Sequence, residues 1–349
     1  MDIALSEEQK LLQDTAARLG DSVAVNGPEG IPSDAALDRQ WQQLVELGVP
    51  ALRSPQLCGL DASGVETALV IEQLGRGLSA VPIVGQAVLA AELLQAAGCV
   101  EDLERLADGS FRVAPVLSAS LNGFASANEP GVAFDAAGAT HALAVTCSDG
   151  QRRLISGPVG GIDGDCAALD LTRQFRRLST DFASTAAIVG EPIDDLRWQR
   201  VESLAMTAVA ADLLGVMQGA LDDAVRYAGE RTQFSVKIGT FQAIQHLLAD
   251  ALVRVEGARS CLWHAAWAID HLPVHEAKLA AMTAKAYASE AGREVVETSV
   301  QVFGGMAITW EHVSHLRLRR MLVDRRLFGD EAVHYEAIAA MRLADQKLA

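Results

Sequence analysis

Arg231, Gln233 and Phe234 stand together in RTQF, and the chain continues into FQAIQHLLAD. Seventy residues after Arg231, QVFGG begins at Gln301 and closes on the pair Gly304–Gly305. A guanidinium is a planar, permanently charged fork that matches two phosphate oxygens at once. Adjacent glycines let backbone approach a ligand closely and take turns closed to other residues. The two stretches together have the chemistry of half a cradle for a large phosphorylated cofactor.

Helices must carry these residues. Phe241, Ile244, Leu248, Ala251 and Val255 recur at spacings of three and four, which predicts an amphipathic helix directly after RTQF. Val209, Leu213, Val216, Ala220, Ala224 and Tyr227 repeat the pattern before it, one face of a long helix. Near the N-terminus, Ser6 with Gln9 three residues on forms a capping box. Ser33 opens a second helix that ends at Gly48. The run from Gly64 to Gly98 supplies two more helical segments, broken near Ser79 to Pro82. Between Phe111 and Pro192 the pattern changes to short apolar runs: FRVAPVL, HALAVTC, RRLISG and TAAIVG are the strand candidates. The reading is an α+β chain: a helical domain over 1–110, a small β domain over 111–194 and a helical bundle over 195–349.

Composition narrows the function. A net charge of −16 argues against nucleic acid as a bulk partner, because phosphate backbones need a basic surface. The five cysteines, at 58, 99, 147, 166 and 261, show no CxxC or Cys/His ligand spacing. A reducing cytoplasm fits that pattern. MDIALSEEQKLL is acidic and amphipathic, unlike a signal peptide. No uninterrupted apolar run reaches the ~20 residues a membrane span needs. His246 reads as packed or interfacial, His312 and His315 as surface positions, and RLRR at Arg317–Arg320 as a solvated or subunit-facing stripe.

The domain order, RTQF with its downstream FQ, and QVFGG followed by a basic helix resemble the acyl-CoA dehydrogenase family across essentially the whole chain. The resemblance implies a flavoprotein that desaturates an acyl-CoA thioester, with FAD lying across a subunit boundary. It implies that Arg231 grips the FAD pyrophosphate of a neighbouring subunit. It places Gln233, Phe234 and Gln242 along the same cofactor arm, and Gln301, Gly304 and Gly305 against the adenosine half. Taken singly, the arginine also fits a helix C-terminus and the glycines a plain turn. Their joint occurrence, in order and in a matching layout, favours the cofactor reading.

The same resemblance exposes what is missing. Such an enzyme needs a carboxylate to take the α-proton of a thioester whose carbonyl is polarised by hydrogen bonds. In many relatives this base lies in a short stretch near the C-terminus; here the equivalent is RLFGD, with Phe328 at the glutamate position. In others it lies twenty-six residues before the phosphate arginine, which here is Ala205. Glu202, Asp330 and Glu331 are the nearby carboxylates that a displaced base would use. In the middle domain, only Glu129, Pro130 and Asp135 of NEPGVAFD match the family pattern, and no tryptophan occurs between Trp41 and Trp198 to flank the flavin. The asymmetry resembles the subunit without a base in an α2β2 acyl-CoA dehydrogenase of the kind actinobacteria use on sterol side chains. Its expected partners are a base-bearing acyl-CoA dehydrogenase subunit, an acyl-CoA and an electron-transfer acceptor. Two other readings remain open: a homomeric dehydrogenase with a displaced base, and a flavin-free interaction module.

Overall fold

The computed structural model describes residues 4–346 except 59–61, 127–128, 130, 149, 161–168 and 179–180. Asn128, Pro130 and Cys166, named above, lie outside the described residues.

Six helices come first: α1 Glu7–Ser22, α2 Asp34–Glu46, α3 Pro55–Cys58, α4 Gly64–Arg76, α5 Ala91–Ala96 and α6 Val100–Ala107. The capping box at Ser6 forms, with Gln9 Oε1 accepting from Ser6 N at 3.0 Å and Ser6 Oγ accepting from Gln9 N at 3.1 Å. Ser33 is the N-cap of α2 but its side chain makes no capping bond. Gly48 follows that helix at φ +71°, the left-handed turn that glycine accepts. The break after α4 leads into Ile83–Ala90, a wide π-helical segment feeding α5.

The sheet runs β1 Val113–Ser118, β2 Gly131–Phe134, β3 His141–Ser148, β4 Gln151–Pro158, β5 Phe175–Arg177 and β6 Ala187–Ile193, with the short helix α7 Phe182–Thr185 before β6. Its order is β5-β2-β1-β3-β4-β6. Only β1 and β3 pair in parallel; the other pairs are antiparallel. The four strand candidates correspond to β1, β3, β4 and β6, while β2 and β5 were not anticipated. β2 has four residues and β5 is the polar tripeptide FRR, too short to show a period.

The bundle comprises α8 Asp195–Glu230, α9 Gln242–His271, α10 Val274–Phe303, α11 Ser314–Arg326 and α12 Glu331–Gln346. A two-stranded hairpin, β7 Thr232–Gln233 with β8 Val236–Lys237, joins α8 to α9. Within α8 the face from Val209 to Ala224 is buried, and Tyr227 is half-buried near its end. This helix is long and apolar enough by composition to cross a membrane, although charged residues such as Asp212 interrupt its apolar run. Its most apolar window is 94% buried inside the protein, as the central helix of a core.

The stripe reading of RLRR is corrected by the structure. Arg317 and Arg320 are buried, at 7% and 2% exposure. Arg317 pairs with Asp223 at 2.9 Å. Arg320 enters a buried network that joins all three regions of the fold. Its Nε donates to Asp170 at 2.5 Å, its Nη1 to Asp212 at 3.1 Å and its Nη2 to the Ser79 carbonyl at 3.1 Å. Arg173 donates to Asp135 at 2.7 Å and to Asp212 at 2.6 Å, and Asp135 accepts the Gly85 N–H at 2.8 Å. Burial opposes the charge on Asp212, but Arg173 and Arg320 outweigh it and hold that carboxyl below its usual range. Burial pushes Asp324 well above the usual carboxylate range and the Asp212 charge adds to this, while Arg173 and Arg320 oppose it. Charges this deep persist because opposite charges stand beside them, as Asp135 and Asp212 do for Arg173 and Asp170 and Asp212 for Arg320.

Candidate functional site

The proposed cofactor residues gather at one end of the bundle. α8 and α10 finish there together, bound by a small apolar cluster of Ala224, Ala228, Val302, Phe303 and Ala307. Ser299 Oγ donates to the Ala220 carbonyl at 3.0 Å across the two helices, and Tyr227 packs on Phe303 at 4.7 Å. The hairpin leaves from the α8 end and the glycine loop from the α10 end, so a contact inside the core sets the position of both.

Arg231 is the first residue beyond α8. Its N–H closes on the Tyr227 carbonyl at 2.8 Å, and its own carbonyl accepts the Ile238 N–H at 2.9 Å, which fixes the backbone. Its side chain is exposed and makes no ion pair or hydrogen bond among the described residues. Lys237 caps the last turn of α8 through the Glu230 carbonyl at 2.7 Å, so the dipole of that helix does not require Arg231. Gln233 is exposed and bonds only the adjacent Thr232 carbonyl, at 2.8 Å. Phe234 and Ser235 form the tip of the hairpin, at φ +52° and +66°. A two-residue hairpin of this kind favours Asn-Gly, and a phenylalanine there is strained. Phe234 is 90% exposed.

Gln242 opens α9 on the surface, and the first turns of that helix are largely exposed. The apolar stripe foreseen for α9 is buried only from Ala251 onward; Phe241 is exposed and Ile244 and Leu248 are half-buried. His246 is exposed, so within this chain it is not packed. Gln301, Gly304 and Gly305 are exposed on the neighbouring turn. Gly304 has φ +65° and ψ −142°, a conformation reserved for glycine, and nothing lies within 4 Å of where its Cβ would stand. A charged fork with no internal partner and an open glycine turn fit the phosphate and nucleoside arm of a dinucleotide. Ile308 and Trp310 extend the exposed apolar surface beyond the glycines, at 78% and 57% exposure.

The two positions matched to the base lie in the opposite environment. Ala205 is fully buried in α8 and Phe328 is 5% exposed between α11 and α12. Phe328 has φ +56°, and its N–H donates to the Leu121 carbonyl at 2.7 Å. Its ring meets Phe124 at 5.1 Å, and Phe124 meets Trp198 of α8 at 5.3 Å, both edge to face. Lys285 holds the other side of the Phe328 loop. Its ammonium donates to the carbonyls of Arg325 at 3.0 Å and Gly329 at 2.7 Å, and to Ser289 at 2.8 Å. Burial pulls the Lys285 pKa down to about 7.

The carboxylates near these positions are already engaged. Glu202 accepts from Trp198 Nε1 at 3.0 Å and pairs with Lys278 at 3.0 Å. Asp330 pairs with Arg326 at 2.5 Å and Glu331 with Arg325. Burial raises the pKa of Asp330, but the Val333 N–H and Arg326 outweigh it and bring it below the usual value. Hydrogen bonds from Arg325 bring Glu331 down in the same way. A general base for a weakly acidic carbon needs a raised pKa, so both are tuned in the wrong direction. Among the described residues, no cluster of three or more His, Cys, Asp or Glu could hold a metal ion.

Sequence reasoning missed the Leu121–Phe124 contact with Phe328 and the buried Arg–Asp network. One signal for the network was present: Asp212 is the sole charge in the apolar run AMTAVAADLLGVM. Lys285 is a similar lone charge in AAMTAKAYA.

Comparison with known proteins gives the lineage. Residues 203–343 match the family described as acyl-CoA dehydrogenase, C-terminal domain. The chain is 31% identical over 324 residues to acyl-CoA dehydrogenase IpdE2 of Mycobacterium tuberculosis, covering 90% of this chain and 91% of that protein. The Mycolicibacterium smegmatis protein of the same name is 30% identical over 333 residues, covering 93% and 96%. The fold matches a chain of the ChsE4–ChsE5 complex from Mycobacterium tuberculosis with a TM-score of 0.79 at 22% identity, covering 97% of this chain and 98% of that one. It matches butyryl-CoA dehydrogenase from Megasphaera elsdenii with a TM-score of 0.80 at 20% identity, covering 98% and 100%. From the bundle-end geometry and these matches together, the chain belongs to the acyl-CoA dehydrogenase family, FAD-dependent oxidoreductases acting on CH–CH bonds.

Proposed function

We propose that this chain is the subunit without a catalytic base in an α2β2 acyl-CoA dehydrogenase. The observation that carries the reading is the opposite condition of two regions. The bundle end presents an unengaged Arg231 and a strained, exposed Phe234 to whatever docks there. The two base positions are apolar and buried.

Arg231 would hold the pyrophosphate of FAD bound mainly by the partner subunit. Gln233, Phe234 and Gln242 would line the same arm, and Gln301 with Gly304 and Gly305 would admit the adenosine half. FAD, when bound, supplies the hydride acceptor. The partner supplies the carboxylate and most of the acyl pocket, and a separate electron acceptor reoxidises the flavin. Exposed apolar residues beside the phosphate grip fit a subunit interface that excludes water from it. The steroid acyl-CoA dehydrogenase among the fold neighbours is in keeping with a steroid-derived acyl-CoA as the substrate class.

The test is flavin content and mass, measured on the chain alone and after co-expression with a base-bearing acyl-CoA dehydrogenase subunit. One FAD per heterodimer, found only in the mixed tetramer, is the expected result. Full flavin in a homotetramer that bleaches with an acyl-CoA would overturn it, and Glu202→Gln and Asp330→Asn would then locate the base. Arg231→Ala in the mixed tetramer is expected to weaken FAD retention by about 10- to 100-fold, the loss of a charge-assisted bond of about 1.5–3 kcal/mol. Unaltered FAD in that variant would remove Arg231 from the site, and a wild-type complex without flavin would favour an interaction module.

A further inference from the structure

We infer that the turn Leu121–Phe124 is a permanent internal occupant of the space beside Phe328, so that this chain's own acyl site is shut by folding as well as lacking a base. The inference rests on the family alignment of Phe328 and Ala205 used above, and it concerns what fills the vacated site.

The turn is built as a plug. Leu121 N donates to the Ser118 carbonyl and Ser118 N to the Gly123 carbonyl, each at 2.9 Å, which closes it on itself. Ala125 N then bonds the Val116 carbonyl at 2.9 Å and accepts Val145 N at 3.3 Å through its own carbonyl, which ties the exit to β1 and β3. From this frame Phe124 reaches two elements at once. Its ring stands between Trp198 of α8 and Phe328 of the α11–α12 loop. Leu121 supplies the carbonyl for the Phe328 N–H, and both it and Phe124 pack on the main core.

The opposite wall is fixed as firmly. Lys285 grips the carbonyls on either side of Phe328. Trp198 is itself held by Glu202 and lies under the Arg152 guanidinium at 4.7 Å. An entering acyl chain would have to part Phe124 from both aromatic partners and break the Leu121–Phe328 bond. Leu121 and Phe328 are both left-handed, at φ +64° and +56°. Non-glycine residues stay in that conformation only where their surroundings over-determine it. Restoring a carboxylate by Phe328→Glu therefore does not rebuild a second acyl site.

Two measurements on the assembled complex test this without relying on flavin. The first is hydrogen exchange of the wild-type chain, read over residues 327–329. The Phe328 amide is expected to exchange at least ~100-fold more slowly than an open loop, as a bond inside a cooperative unit does. Exchange at the open-loop rate overturns the inference. The second is maleimide labelling of Phe328→Cys, read by peptide mass with the exposed Cys147 as internal reference. Labelling at least ~100-fold slower than Cys147, and at least ~10-fold faster once Phe124→Ala or Lys285→Met is added, is expected if entry requires local opening. Labelling as fast as Cys147 overturns it. If Phe328→Cys does not fold, the exchange measurement on the unaltered chain decides. Failure of the heteromeric reading shows separately, as full flavin in a homotetramer.

Discussion

Phe328 donates its backbone N–H to the carbonyl of Leu121 at 2.7 Å, and both residues hold positive φ. A contact between positions more than two hundred residues apart keeps each in a conformation that costs roughly 1 kcal/mol or more. Phe328→Ala should destabilise the chain by about 3–5 kcal/mol through the lost ring. Phe328→Gly loses the same ring but accepts the left-handed turn, so it should be more stable than the alanine variant by roughly 0.5–1 kcal/mol. Urea midpoints of the two variants decide it, and an alanine variant as stable as the glycine one would refute the strain.

Ser235 occupies the second position of a two-residue hairpin at φ +66°. Ser235→Gly should stabilise the isolated chain by about 0.5 kcal/mol, because the turn favours glycine there. Phe234→Ser should leave the isolated chain's stability within about 0.5 kcal/mol of wild type, since the ring is 90% exposed. Its effect should appear in assembly with the partner, measured by the concentration at which the mixed tetramer dissociates.

His334 and Lys285 give the chain a defined pH response. Burial, with the Lys285 charge adding to it, holds His334 down at about 4, against 6.5 for a free imidazole. The unfolded chain therefore binds a proton that the folded chain refuses, and stability falls as pH drops from about 6.5 to 4. Lys285, held near 7 by burial against 10.5 when free, behaves in the same sense over a higher window: stability rises from pH 7 toward 10.5. Asp324, Glu331 and Asp330 favour its charge, and Arg325 opposes it. His334→Gln should flatten the acid limb and Lys285→Met the alkaline rise, read from denaturant midpoints across pH. Unchanged limbs in both variants would show that other groups set the profile.

Arg320 bonds Asp170, Asp212 and Ser79, residues drawn from three separate regions of the fold. Arg320→Met leaves buried carboxylates without their cation and should cost about 3–5 kcal/mol. Calorimetry of the isolated chain measures this. A loss below about 1 kcal/mol would mean that the carboxylates find protons or water instead.

The helices were legible because their apolar residues repeat over many turns, as in α8, and because Ser6 and Gln9 mark a start in four residues. Arg231 and Gly304 stand out in the sequence through motif and spacing, and the structure leaves both exposed at one end of the bundle. Arg317 and Arg320 were misread because a charged helix looks the same in sequence whether water or Asp170 and Asp212 surrounds it. Those partners lie more than a hundred residues away, so no local period reports them. The plug was hidden for a related reason. Leu121 and Phe124 sit in a Gly/Asn/Ser-rich turn whose composition suggests solvent, and only tertiary contact with Phe328 gives it a role.

The network around Arg173 and Arg320 gives the sheet a structural role that does not depend on catalysis. Asp135, Asp170 and Arg173 come from the middle region, and without them Asp212 and Arg320 would keep only each other inside the bundle and Asp324 would lose Arg173. Selection on catalysis can lapse in this part of the chain while selection on folding continues. Loops of the sheet can then vary, but not the segments that hold Asp135, Asp170 and Arg173 in place. A gene trimmed to the bundle alone, however well it keeps Arg231 and Gly304, should yield insoluble protein.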